Sequence, residues 1–172
     1  VATLDEAVNL RENGIDKPIL ILGYVNPDEY ELLVKNEIDA TIFDIETAKE
    51  LDAVAQRLGK MAFCNIKVDT GMRRIGLEPD GSGKEIVRQI KKLKNLNARG
   101  IFTHFAASDE KDKTSALKQF DKFKTFTDGL EAEGITFEIR HCSNSAAIID
   151  MPQVNLDMVR LGIPMYGMYP SE

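Results

Sequence analysis

Residues 62–76 read Ala-Phe-Cys-Asn-Ile-Lys-Val-Asp-Thr-Gly-Met-Arg-Arg-Ile-Gly, and they contain the two features on which the fold depends. The first seven residues form a near-continuous apolar run, which predicts a strand buried on both faces, as in a parallel sheet. The polar, glycine-containing stretch that follows predicts a loop at the carboxyl end of that strand. In a parallel barrel this end of the strands carries the catalytic residues. The stretch therefore indicates both a parallel sheet and a candidate site.

Five further apolar runs lie on either side of this one, separated by longer helical patterns. The predicted strands are Pro18–Val25, Ala40–Phe43, Ala62–Val68, Gly100–Phe105, Phe137–His141 and Met158–Leu161. The predicted helices include one that begins at a capping box of Thr3 and Glu6, one that begins at Asn26-Pro27, one that ends at Gly59, and two over residues 84–94 and 115–133. Residues 106–114 are predicted to form a surface loop. The alternation implies parallel strands with right-handed crossovers. On pattern alone, an open doubly wound sheet and a (β/α)8 barrel, which typically needs about 250 residues, both remain open.

Composition predicts one acidic globular domain over residues 1–172. The net charge is −6, which argues against nucleic acid or an anionic membrane as the main partner. No apolar run is long enough for a membrane helix, and the first residues do not resemble a secretory signal. Cys64 and Cys142 share no metal-ligand spacing and lie in apolar segments, which favours reduced core cysteines over a disulfide. We therefore expect a cytoplasmic protein without a bound metal.

Polar residues at the ends of the later strands form a candidate anion site. Ser145 lies where a strand gives way to a short helix, so its hydroxyl and nearby N–H groups could converge on an anion, with Asn144 beside it. Gly162 lets the backbone approach closely, and the N–H groups of Gly162 and Ile163 could complete a phosphate cradle. The alternative is that Asn144 and Ser145 only cap a helix and that Gly162 only turns a loop.

Charged and imidazole side chains in or near the predicted strands are the other candidates. Lys67 and Arg160 lie inside apolar strands, where a charge must be paired, neutralised or functional. The alternative for both is an internal salt bridge. Arg74 could be a solvated loop residue, His104 a hydrogen-bonded core group, and His141 is expected to be a packing residue.

Taken together, these segments resemble alanine racemase, a fold-type III pyridoxal-phosphate enzyme. The resemblance rests on Lys67-Val-Asp-Thr-Gly-Met, Arg74-Ile-Gly, Thr103-His-Phe-Ala, Asn144-Ser-Ala-Ala and Arg160-Leu-Gly-Ile-Pro-Met-Tyr-Gly-Met-Tyr-Pro-Ser171, in family order and over essentially the whole chain. It implies an incomplete (β/α)8 TIM-type barrel with about six of eight βα units. It also implies pyridoxal 5′-phosphate as cofactor, a small amino-acid substrate and a homodimer in the parent enzyme.

The resemblance also assigns roles to single residues. Arg160 resembles the arginine that faces the cofactor's pyridine nitrogen. Ser145, Gly162 and Ile163 resemble the phosphate cradle, which Asn144 supports. Three further residues resemble supporting groups: Arg74 resembles the contact to the phenolic oxygen and the substrate carboxylate, Lys67 a carbamylated lysine that orients Arg74, and His104 a group that steers the catalytic tyrosine.

Two departures from the family concern the proton-transferring residues. The Schiff-base lysine belongs to an Ala-Tyr-Gly-containing motif that does not occur in this sequence, and the tyrosine base belongs to a C-terminal β-rich domain that is not recognisable here. We therefore expect the central part of a longer protein, inactive by itself. A third departure is Arg73, where the family usually has glycine.

The resemblance implies interconversion of L- and D-alanine, for peptidoglycan, through an aldimine of pyridoxal phosphate by a two-base mechanism. Two alternatives remain at this stage. One is a non-catalytic pyridoxal-phosphate carrier with a related barrel, against which Arg74 and Lys67 argue because a carrier has no substrate carboxylate to hold. The other is a racemase of broader specificity that acts on serine or another amino acid.

Overall fold

A computed structural model describes residues 1–170, so Ser171, the last residue of the Arg160 motif, lies outside the described residues. The chain divides into two compact units. The first contains Val1–Lys67 and Glu85–Arg99, and the second contains Val68–Lys84 and Gly100–Glu172. The prediction of one partial-barrel domain over residues 1–172 stays a prediction.

The first unit is built from helices and parallel strands in alternation. Its elements are α1 (Leu4–Glu12), a 3-10 turn (Pro27–Glu29), α2 (Tyr30–Lys35), β1 (Asp39–Ile42), α3 (Ile45–Leu58), β2 (Ala62–Lys67), most of α4 (Gly81–Ile90) and the first part of β3 (Leu96–Phe102). β1 and β2 pair in parallel, from Asp39 opposite Phe63 to Ile42 opposite Ile66. Within this unit β2 lies between β1 and β3.

Local sequence signals account for the ends of these helices. The Thr3 hydroxyl accepts a hydrogen bond from the Glu6 N–H at 3.3 Å, and the Glu6 carboxylate accepts one from the Ala2 N–H at 2.7 Å. The N-cap half of the predicted capping box is thus confirmed, whereas the Glu6 carboxylate bonds the N–H of Ala2 and not that of Thr3. α3 ends at Gly59, whose φ of 63° is left-handed, as predicted from the glycine after the apolar stripe.

The second unit continues β3 and pairs it in parallel with β4 (Ile139–His141), from Gly100 opposite Ile139 to Phe102 opposite His141. Its helices are α5 (Thr114–Glu131) and α6 (Ser145–Asp150), followed by 3-10 turns over Pro152–Val154 and Ile163–Tyr166. All pairs described in both units are parallel, which confirms the predicted α/β class. Both cysteines are buried free thiols, as predicted. Among residues 1–170 there is no helix with the length and apolar character to cross a membrane.

Two of the six predicted strands are reduced to single bridges. Residues 18–25 contribute one bridge from Leu20 to Asp39, and residues 158–161 contribute one from Met158 to His141. At the first, the Thr41 hydroxyl donates to the Ile21 carbonyl at 2.7 Å, so a side chain takes the acceptor that a longer ladder would use. Hydrophobicity also overestimated the burial of these segments, since Leu22, Val159 and Leu161 are exposed. An apolar run does not report which backbone groups find partners.

Candidate functional site

The predicted site residues of the second unit lie where strands β3 and β4 end. β3 ends at Phe102 and is followed by the segment that carries His104, while β4 ends at His141 and is followed by the turn to Ser145. Arg160 joins this region through a backbone hydrogen bond, in which its N–H donates to the Ser143 carbonyl at 3.0 Å. Because parallel strands end at the same edge of a sheet, residues distant in sequence meet here.

Arg160 is held by the backbone around the two strand ends. Its Nη2 donates to the Thr103 carbonyl at 2.8 Å and to the Cys142 carbonyl at 3.0 Å, and its Nη1 lies 2.5 Å from Nδ1 of His141. Its guanidinium carbon also lies 5.3 Å from the centre of the Phe102 ring. These contacts use carbonyl oxygens and an imidazole, so they differ from the salt bridge that was the alternative for this residue. They fix the plane of the guanidinium group.

The remaining guanidinium nitrogen of Arg160 has no such partner. Nε is one of three buried side-chain nitrogen or oxygen atoms in the described residues that lack a hydrogen-bond partner, with Tyr30 Oη and Asn155 Oδ1. Burial lowers the pKa of Arg160 to about 10, which leaves it a cation at neutral pH. A buried cationic N–H without an acceptor is costly, so it favours a ligand that brings an acceptor.

His141 packs in the interior as predicted, and it also contacts Arg160, which sequence reasoning missed. It is fully buried, and its ring stacks on Phe102 with 4.6 Å between ring centroids and 4° between planes. Because arginine has no acceptor, Nδ1 of His141 must carry a lone pair, and the neutral ring therefore has its proton on Nε2. Burial and the charge of Arg160 lower the pKa of His141 to about 3. The available signal was a histidine as the last residue of a predicted strand.

His104 is half-buried and lies near Nη2 of Arg160. Its Nδ1 is 3.4 Å from Nη2 of Arg160. The two hydrogens of Nη2 already serve the Thr103 and Cys142 carbonyls, so this third contact is weak. A cation at this distance favours the lone pair on Nδ1 and the proton on Nε2. The structure thus brings His104 and Arg160 together.

The predicted cradle residues also lie together in this unit. Ser145 is the first residue of α6, and its Oγ accepts from the Gly162 N–H at 3.1 Å, which leaves the hydroxyl proton able to donate. A Cβ on Gly162 would lie 3.2 Å from Ser145 Oγ, so a side chain there would crowd the hydroxyl. Ile163 begins the 3-10 turn, where N–H groups have no partner within the helix. The Ser145 hydroxyl and the Ile163 N–H therefore remain as donors for an anion, whereas the Gly162 N–H donates to Ser145.

Asn144 caps α6 and is itself held in place. Its Oδ1 accepts from the Ala147 N–H at 3.2 Å and from the hydroxyl of buried Ser108 at 2.6 Å. The capping alternative is thus correct for Asn144, and the cap also sets the position of Ser145. Its support of the cradle as a whole stays a prediction.

Arg74 lies on the loop after β2 and is exposed. It lines a cavity of about 520 Å³ together with Asp69, Arg73 and Lys122, among others. Arg73 adopts a left-handed φ of 56°, a conformation that suits glycine and costs other residues roughly 1–2 kcal/mol. The sequence departure at this position therefore meets a backbone that is suited to the glycine of the family. Contact of Arg74 with a substrate carboxylate stays a prediction.

Lys67 belongs to the first unit. It is the last residue of β2 and is 2% exposed, so the expected burial of a lysine in an apolar strand is correct. Its carbamylation and its effect on Arg74 stay predictions.

The chain is similar to known proteins over essentially its whole length. A family model described as alanine racemase, N-terminal domain, matches residues 1–170. The alanine racemase of Methanococcus maripaludis is 48% identical over all 172 residues, which are 46% of that protein. A solved alanine racemase of Clostridium difficile 630 in complex with cycloserine matches with a TM-score of 0.98 and 42% identity, over 100% of this chain and 47% of that one. A histidine racemase of Leuconostoc mesenteroides matches with a TM-score of 0.91 and 26% identity, over 99% of this chain and 45% of that one.

These similarities identify the fold class and show how much of its relatives' length the chain covers. The N-terminal domain of alanine racemase is a TIM barrel, so the expected incomplete barrel is confirmed as the fold class. The chain spans about half the length of the curated relatives it matches.

Proposed function

Because the chain belongs to the family of alanine racemase N-terminal domains, we propose that the whole protein containing it is an alanine racemase that interconverts L- and D-alanine. Within that protein this chain holds pyridoxal 5′-phosphate and orients the substrate. The histidine racemase of similar fold is a reason to test several amino acids.

The observation that carries the proposal is the unpartnered Nε of buried Arg160. A pyridine nitrogen is an acceptor of the kind that this N–H lacks. A phosphate fits the hydroxyl of Ser145 and the N–H of Ile163, next to Gly162, whose N–H donates to Ser145. The residues present therefore fit pyridoxal phosphate. When bound, that group withdraws electrons from the substrate and acidifies its α-C–H bond.

Arg160 has a defined part in this chemistry. Its guanidinium group stays protonated and can donate a hydrogen bond to the ring nitrogen, but it does not give up its proton readily. By donating without transferring its proton, Arg160 would leave the ring nitrogen unprotonated, which would favour return of the α-proton over transamination. His141 and the two carbonyls keep the guanidinium plane in place for this role.

Other residues act on the substrate and its surroundings. We propose that Arg74 binds the substrate carboxylate, that Lys67 carries a carbamate whose negative charge orients Arg74, and that His104 positions a tyrosine. Neither proton-transferring residue is recognisable within these 172 residues, so we propose that this chain by itself does not racemise alanine. A homodimeric, cytoplasmic parent protein is part of the same proposal, and the buried free thiols are compatible with a reducing compartment.

The test compares the whole protein with residues 1–172 expressed alone, both supplied with pyridoxal phosphate and each offered L-alanine, L-serine and L-histidine. We expect D-alanine from the whole protein at a rate above that of the other two products, and none from the 172-residue chain above free cofactor. A whole protein that binds the cofactor but turns over no amino acid would instead be the carrier. Turnover by the short chain would mean that the two bases have been misplaced, and Lys67 would then be reconsidered as the Schiff-base lysine.

A further inference from the structure

Gln119 is a buried amide on α5 that bonds to two separate loops of the second unit. The residue is 4% exposed. Its Oε1 accepts from the Ala106 N–H at 2.9 Å, and its Nε2 donates to Thr70 Oγ1 and to the His104 carbonyl, both at 3.3 Å. One side chain therefore joins the loop that leads to Arg74 with the segment that carries His104.

The Gln119 side chain packs closely against the loop that leads to Arg74. Gly71 has a φ of 146°, and a Cβ built on it would lie 3.4 Å from both Cγ and Nε2 of Gln119. The next turn of the loop is held by Asp69, whose Oδ1 accepts from the N–H groups of Gly71 and Arg73 at 2.9 and 3.0 Å. Gln119 therefore contacts the loop at the point from which Arg73 and Arg74 emerge.

The same network reaches Arg160. The hydroxyls of Thr70 and Thr103 lie 2.8 Å apart, and the Thr103 carbonyl accepts from Nη2 of Arg160. Thr70 and Thr103 are 3% and 0% exposed, so these bonds form away from water. In a buried network each bond matters more than at the surface, because water cannot replace a lost partner.

We propose that Gln119 is a positioning residue that sets the Arg74 loop against the His104 segment, and through Thr70 and Thr103 supports Arg160. The proposal rests on the proposed racemase function, because it assigns Gln119 an effect on groups that serve that reaction. Gln119 is not a catalytic residue, since it acts only through its neighbours.

The hydrogen-bond network uses both the carbonyl oxygen and the amide nitrogen of Gln119. A carboxylate at position 119 can accept from Ala106, but it cannot donate to Thr70 and would oppose the His104 carbonyl. A methionine of similar volume keeps the packing and removes all three bonds. Glutamate regains a donor when it is protonated, so its defect is expected to shrink at lower pH, which a simple packing role would not produce.

The test uses the whole protein with Gln119→Met, Gln119→Glu, Thr70→Val and, as matched control, Thr127→Val. Thr127 is buried on the same helix, and its hydroxyl donates only to the Phe123 and Lys124 carbonyls of that helix. We expect kcat/KM for alanine to fall about tenfold to hundredfold in both Gln119 variants, mainly through a higher KM, and less in Thr70→Val. The activity of Gln119→Glu relative to wild type should rise as the pH falls. Thr127→Val should match wild type.

A second readout does not need activity. In the cofactor-free protein, the amides of Gly71, Arg73 and Ala106 should exchange with deuterium about tenfold faster in the Gln119 variants than in Thr127→Val. If wild type is inactive, the proposed function fails while amide exchange still decides the positioning role. If wild type is active and both Gln119 variants match the control in kcat, KM and exchange, the inference is overturned. If Gln119→Met fails to fold, Gln119→Glu and Thr70→Val carry the decision in the same way.

Discussion

Protonation of His141 should destabilise the protein as the pH falls below 6.5. The folded pKa of about 3 lies below the ordinary value of 6.5, so the folded state binds fewer protons than the unfolded state at acidic pH. Stability from this group is therefore complete above pH 6.5 and is lost progressively down to the folded pKa. At pH 5 the difference of about 1.5 units from the unfolded value, at about 1.36 kcal/mol per unit, gives a loss of about 2 kcal/mol.

The expected loss of stability at pH 5 depends little on how low the pKa of His141 is in the folded state. Any folded value below about 4 leaves the imidazole neutral at pH 5, so the loss stays about 2 kcal/mol. The structural reason is that protonation would place a proton on Nδ1, which lies 2.5 Å from the cationic Nη1 of Arg160. The fully buried ring cannot turn to water to escape this contact.

The assay is urea unfolding of the cofactor-free whole protein and of its His141→Asn variant at pH 7.5 and at pH 5. Asparagine offers an acceptor near the position of Nδ1 and does not titrate. The variant should be less stable at pH 7.5 by roughly 0.5–1.5 kcal/mol from the lost stacking on Phe102. Between pH 7.5 and pH 5 the wild type should lose about 2 kcal/mol more than the variant. Nitrogen-15 NMR of histidine should show His141 neutral at pH 5 with its proton on Nε2. Equal losses in the two proteins, or a His141 signal that titrates near pH 6.5, would refute the reasoning.

Three further predictions concern the other site residues. Arg160→Glu should slow racemisation by about tenfold or more. It should also raise the yield of pyruvate relative to D-alanine, because a carboxylate helps keep a proton on the ring nitrogen. An unchanged product ratio would mean that Arg160 does not tune the cofactor. Arg73→Gly should raise the free energy of unfolding by up to about 1 kcal/mol, because glycine adopts the left-handed φ without the steric cost, and a loss of stability in urea unfolding would contradict this. Lys67 should carry a carbamate in the whole protein, visible as a carbon-13 signal after labelling with bicarbonate, whereas a plain ammonium group or a chloride ion beside Arg74 would exclude it.

The sequence by itself determined the α/β class and most of the helices. Helical periodicity and capping residues depend on local sequence. Thr3, Asn26 and Gly59 therefore predicted helix ends that the structure confirms. The Asn144-Ser145 turn could be predicted because it depends on a few neighbouring residues. Pattern alone left the barrel and the open sheet both possible, because closure of a sheet depends on strand pairing across the whole chain, and family resemblance was needed to choose.

Only the tertiary structure decided how those residues meet. Periodicity predicted strands at residues 18–25 and 158–161, but single bridges formed, because pairing depends on which distant backbone groups are present. The sequence predicted the packing of His141 but not its contact with Arg160, 19 positions away. Gln119 carried no signal at all, since a glutamine in an amphipathic helix is ordinary until its two amide ends face Ala106 and Thr70. Hydrogen bonds join groups by distance in space, and a sequence reports distance only along the chain.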